Sequence, residues 1–208
     1  MGRPPIVDRD TALERIMIQF WRTGFHSTSL DDLLEASGMH RGSFYRTFGD
    51  KRAAFDAAFA LYVQRVAETD VFPALSSTGS PMTRLENLLT ARLEAALGNV
   101  EPFTGDRPGC LVVNTATELA AHDKQASEQV GAALTGVRDS IAVLLRAAAE
   151  AGEIDAEIDT EAAADHLSTL LQGAIVMSRS GKSADHLHEL LRSAIAVVAP
   201  APSQGESP

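Results

Sequence analysis

"GMHRGSFYRTFGDK", residues 38–51, decides how the rest of the chain is read. Arg41 and Arg46 stand there with no acid before Asp50, and Phe44, Tyr45 and Phe48 crowd together. Gly38 and Gly49 bracket the segment, so a helix over 40–48 can begin and end abruptly. On a helical wheel Phe44, Thr47 and Phe48 lie together, whereas Gly42 and Arg46 lie nearly opposite, flanked by Ser43 and Tyr45. Two phenyl rings then pin the helix from behind and leave a cationic, polar face outward. About eight helical residues span roughly 12 Å, close to the width of the B-DNA major groove.

The groups on that face suit duplex DNA. Arg46 and Arg41 can fork onto guanine edges or phosphate oxygens. Gly42 removes a side chain where a backbone must come close. His40, Ser43 and Tyr45 can donate to phosphates or bases. Thr28 and Ser29, where the preceding helix starts, offer an anion-binding N-terminus, and Lys51 opens the following helix where a phosphate can be held.

Working outward, Leu13, Ile16, Met17 and Phe20 recur at helical spacing and predict a first helix over 8–23, stopped by Gly24. Ser29 with Asp32 reads as a capping box for a second helix, over 30–37. Helices two and three, joined by a glycine turn, match a helix-turn-helix. A fourth amphipathic helix follows over 51–68. The proline- and glycine-marked stretch 72–81 reads as a turn region. Further helices are expected near 81–97, 110–121, 124–151, 160–179 and 184–198, with a loop over 98–109 and a disordered tail over 199–208. The fold class is therefore all-α. A small N-terminal domain (1–54) is followed by a larger helical domain (55–198).

Charge is unevenly divided. The chain carries a net −10, yet residues 1–54 carry +1 and the remainder −11. An acidic body would repel a polyanion from the wrong surface and confine any DNA contact to the N-terminal end. Cys110 is the only cysteine, so no intrachain disulfide can form. No secretory signal pattern follows Met1 and no apolar run reaches membrane-spanning length, so a cytoplasmic protein with no membrane partner is expected. Arg3, in "GRPP", reads either as a minor-groove arm or as a disordered terminus.

The stretch "GFHSTSLDDLLEASGMHRGSFYRTFGDKRAAF" resembles the DNA-binding domain of TetR/AcrR-type transcriptional regulators over about residues 9–60. The resemblance implies an all-helical homodimer, a palindromic double-stranded operator, and repression relieved by a small-molecule effector. On the family pattern Thr28, Arg41, Gly42, Ser43, Tyr45 and Lys51 match DNA contacts. His40 stands where a capping serine is common, which puts the N-cap hydrogen bond of helix three in question.

The same resemblance implies that the last two helices pair with their copies. Leu167, Leu170, Leu171 and Ile175, then Leu187, Leu190, Leu191 and Ile195, form apolar stripes compatible with that, or with an ordinary core. A ligand pocket would lie among helices four to eight, with Phe59, Tyr62, Cys110, Leu111, Asn114, Thr115, Glu118 and Met177 as candidates by location. "GCLVVNTATEL" resembles a segment from a branch of the family in which some relatives respond to electrophiles or oxidants. Cys110, with Arg107 nearby in sequence, reads either as a sensor thiol or as an inert buried residue. No catalytic or metal-ligating signature stands out, since His186 and His188 point to different sides of a helix, and no cofactor is expected. The alternative function is a helical adaptor whose helix-turn-helix contacts protein; an enzyme is the more distant reading.

Overall fold

The computed structural model describes residues 8–98 and 107–198. The Arg3 arm, most of the expected 98–109 loop and the expected 199–208 tail lie outside the described residues. Within them the chain is all-α.

Three helices build the N-terminal unit. α1 (Arg9–Thr23) starts on Asp8, whose carboxylate accepts from the Asp10 and Thr11 amides at 3.1 and 3.0 Å. α2 (Leu30–Ser37) starts on the expected capping box, with Ser29 and Asp32 bonded reciprocally. Gly38, at φ 70°, provides the left-handed turn into α3 (Arg41–Phe48). His40 precedes α3 without any side-chain cap bond. The core beneath is aromatic: Phe20 packs edge-on against Phe55 at 5.1 Å, Phe25 does the same at 5.1 Å, and Phe44 meets Phe48 at 5.4 Å.

α4 (Lys51–Val66) runs from this unit into the larger half and packs along α1. Its α-geometry ends at Val66, after which Ala67–Val71 widens into a π-helical turn and α5 (Phe72–Ser76) continues. The stretch 72–81 is thus not all turn, as its composition suggested. Pro73 lies in the first turn of α5, where a missing amide proton costs nothing. Only residues 77–80 connect to α6 (Pro81–Leu97), which Ser80 caps.

α7 (Leu111–Glu118) is shorter than expected, and α8 (Lys124–Glu150) follows. α9 (Thr160–Arg179) and α10 (Ala184–Val198) fall where periodicity put them. α8, α9 and α10 pack in sequence, and α6 lies against all three. No helix among the described residues is long and apolar enough to cross a membrane.

Candidate nucleic-acid interface and effector cavity

The α3 helix is held as the wheel required. Phe44 is fully buried and Phe48 nearly so, whereas His40, Arg41, Gly42, Tyr45 and Arg46 are exposed. Ser43 is half-buried and accepts from Arg46 at 3.2 Å, which lays the guanidinium along the outer face. Arg41 pairs with Asp31 at 2.7 Å, both side chains largely exposed. Such a pair is worth about 0–1 kcal/mol, so a phosphate can displace the aspartate at little expense. A Cβ built on Gly42 would meet nothing within 4 Å, which leaves the backbone open to close approach.

Two of the residues expected to meet phosphate behave differently. Thr28 is fully buried. Its hydroxyl donates to the Gly24 carbonyl at 2.6 Å and lies 2.7 Å from the Thr23 hydroxyl, so it shapes the α1–α2 loop and is not available to DNA. Ser29 is exposed, but its hydroxyl donates to its own capping partner Asp32 at 2.7 Å. Asp31 and Asp32 occupy the first turn of α2, so that N-terminus already has its anions. The Ser29 hydroxyl holds the Asp32 carboxyl below its usual range, which keeps the cap charged. Lys51 is half-buried, with its ammonium 4.5 Å from the Phe25 ring centroid.

Beneath the loop stands Glu118, at the end of α7. Its carboxylate accepts from the backbone amides of Phe25 at 2.9 Å and His26 at 2.6 Å, and lies 3.1 Å from His26 Nδ1. Gly24, at φ 81°, fits because it lacks a Cβ: one built there would fall 2.6 Å from a Glu118 oxygen. A second tie joins α4 to the start of α8, where Arg52 pairs with both Asp123 and Asp56. The hydrogen bond from Arg52 pulls the Asp123 carboxyl down to about 2. Glu118 is thus an anchor of the N-terminal unit, not a pocket residue as expected.

The larger half contains a cavity of about 300 Å³ among the end of α4, the π turn, α5, α6, α7, α8 and α9. Its wall is mostly aliphatic, with Val63, Val66, Val71, Leu75, Val112 and Val137 contributing. Cys110 lies in that wall, beside Arg92. Of the other expected pocket residues, Phe59 and Leu111 are plain core. Thr115 donates to its own helix at Leu111, and Asn114 bonds the Pro108 carbonyl at 3.0 Å and Arg179 at 2.9 Å. Met177 packs on the core elsewhere. Tyr62 is buried behind the cavity, edge-on to Trp21 at 4.9 Å. Arg107 caps Ser178 and Lys182 carbonyls instead of facing Cys110.

Sequence reading missed the group around that cysteine. Arg92, 5% exposed, bonds Asp70 at 3.0 Å and lies 3.4 Å from both the Tyr62 hydroxyl and the Cys110 sulfur. Burial pushes the Tyr62 phenol well above its ordinary range, so it stays neutral.

The apolar stripes of α9 and α10 also need correcting. Leu167, Leu171, Ile175, Leu187, Leu191 and Ile195 are buried within the protomer itself. Leu170 is exposed and Leu190 half-buried, and Val176 and Val197 are 52% and 78% exposed.

Comparison with known proteins agrees with this architecture. Residues 12–58 match the family described as bacterial regulatory proteins, tetR family, and residues 81–194 match the tetracyclin repressor-like C-terminal domain. The HTH-type transcriptional repressor ComR of Escherichia coli (strain K12) is 29% identical over 185 residues, covering 88% of this chain and 84% of that protein. The transcriptional regulator AcuR of Cereibacter sphaeroides is 30% identical over 163 residues, covering 75% of this chain and 69% of its own length. Among solved structures, a cysteine mutant of the TetR family transcriptional regulator CifR, complexed with 26-bp double-strand operator DNA, superposes with a TM-score of 0.80. It is 25% identical and covers 95% of this chain and 100% of that one. With both halves matched by the family's models, the chain belongs to the TetR family of transcriptional regulators.

Proposed function

We propose that this protein is a homodimeric transcriptional repressor that reads a palindromic operator with α3 and releases it when a small molecule enters the cavity of the larger half. The outer face of α3 carries the first part: Arg41, Tyr45 and Arg46 are exposed around a bare Gly42 while Phe44 and Phe48 hold the helix from behind. One such helix reads too few bases to discriminate among genomic sites, whereas two at half-sites about 34–36 Å apart suffice. The exposed Leu170, Val176 and Val197 offer the surface for the second copy. Likeness to a relative solved on operator DNA supports the same reading.

Release follows from the mechanical ties. α7 begins at the cavity with Cys110 and Val112 and ends at Glu118, which holds the loop ahead of α2. A ligand that shifts α7 therefore moves the reading unit, and a preference of a few kcal/mol for the shifted state is enough to empty the operator. The test is to select a binding duplex from random sequence and follow its affinity with salt. Affinity should fall about 10³- to 10⁵-fold between 50 and 200 mM salt if six to ten phosphates are contacted. A protein that selects no duplex, or binds one independently of salt, defeats the proposal in favour of a protein-contacting adaptor.

A further inference from the structure

Arg92 is the only charged side chain among the described residues lining the cavity, and nothing in an aliphatic wall demands it. Apart from Asp70, its partners are also weak. The guanidinium has five donors, of which one meets Asp70 at 3.0 Å. The Nη2 edge meets only a phenol oxygen and a sulfur, both at 3.4 Å: the first is longer than the 2.9–3.0 Å typical of N–H···O bonds, and the second is a weak acceptor. A carboxylate oxygen on the guanidinium would be a stronger partner than either, at roughly 2.7–2.9 Å. From this we infer that the effector is a small carboxylate with an apolar body, held by Arg92 at its charged end and by the valine-rich wall along its chain. This rests on the proposed function in that the cavity is taken as the effector site.

Size and electrostatics narrow the class. A cavity of about 300 Å³ lies at the small end of the roughly 300–1,000 Å³ spanned by ligand pockets, which favours a short-chain ligand. The remaining polar wall groups are few: Ser140 donates to the Gly136 carbonyl of its own helix, and Gln172 offers one amide. The ligand's charge is the discriminating feature, because a neutral analogue forgoes the guanidinium. Asp70, 13% exposed, already neutralises Arg92, so an entering carboxylate competes with it. Asp70 belongs to the π turn Ala67–Val71, which continues α4, whose first residue follows the reading unit. Easing Asp70 off Arg92 therefore frees the far end of the helix that carries α3.

Hexanoate, hexanamide and 1-hexanol share one apolar chain and differ in charge. Trp21, the single tryptophan, packs on Tyr62 and so reports on the Arg92 group through its emission, with calorimetry as a second measure. Hexanoate should bind at least tenfold more tightly than either neutral probe. Asp70→Asn removes the competing charge and should tighten hexanoate binding by about tenfold, raising the melting temperature on hexanoate addition more than in the parent protein. Arg92→Met should abolish the preference for hexanoate, and Asp70→Asn keeps the question answerable should that variant fail to fold. Equal binding of the three probes, binding of none of them, or an Asp70→Asn variant with unchanged or weakened hexanoate affinity overturns the carboxylate assignment. DNA affinity of the ligand-free protein is measured separately, so its absence would sink the repressor reading without touching the binding result.

Discussion

Arginine is used in opposite ways at the two ends of this molecule. On α3, Arg41 and Arg46 sit in water with weak, replaceable partners: an exposed aspartate at 2.7 Å and a serine hydroxyl at 3.2 Å. In the larger half, Arg92 is 5% exposed and enclosed by Asp70, Tyr62 and Cys110. In water the charge is cheap to hold, and its interactions are screened, so those arginines contribute little to stability and remain free for a polyanion. Inside, the same group is tolerable only with a counter-charge, so its removal is felt by the whole fold. Exposure sets what removal costs: Arg41 and Arg46 can be lost without harm to the fold, whereas Arg92 serves the fold through Asp70 as well as the proposed ligand.

The largest expected effect tests that contrast directly. Arg92→Met strands the Asp70 carboxylate at a side-chain exposure of 13%, and should cost about 3–5 kcal/mol of stability in urea unfolding. Arg41→Ala should change stability by less than about 0.5 kcal/mol in the same assay. Comparable losses from the two would erase the distinction.

How far the sequence showed this depends on the kind of signal. α3 was legible in full because its determinants are local: two bracketing glycines, a buried pair at i and i+4, and cations on the remaining face. Arg92 was legible in principle, since it interrupts the apolar stripe Leu85, Leu88, Leu89, Leu93 and Ala96 on α6 at a position that must face inward. Its partners were not, because Asp70 and Cys110 reach it only through tertiary packing. The Glu118 anchor joins residues 92 and 93 positions apart, a separation no periodicity encodes. The stripes of α9 and α10 gave the apolar face without saying what covers it, and it is the protomer's own core. The turn expected over 72–81 failed on Pro73, since proline punctuates a helix interior but is at home in its first turn.

A smaller effect sharpens the α3 side of the comparison. If Arg46 reads a base edge, Arg46→Ala should cost about 1–3 kcal/mol at the selected duplex and less on random DNA, measured by competition at fixed salt. An equal loss on both would make it a phosphate contact, and the salt slope would then drop by about one unit.

The smallest change is the most discriminating, because its two consequences should carry opposite signs. Gly42 is helical, and a Cβ there meets nothing within 4 Å. Gly42→Ala should therefore raise stability by up to about 0.5–1 kcal/mol through helix propensity, with the lower figure expected so near the helix start. If the α3 backbone approaches phosphate or base edges at this position, the same methyl should weaken duplex binding. A variant that is more stable and binds DNA less would show that this surface is shaped for a partner absent from the free protein. A variant that is more stable and binds as before would leave Arg41, Tyr45 and Arg46 to make the contact at longer range.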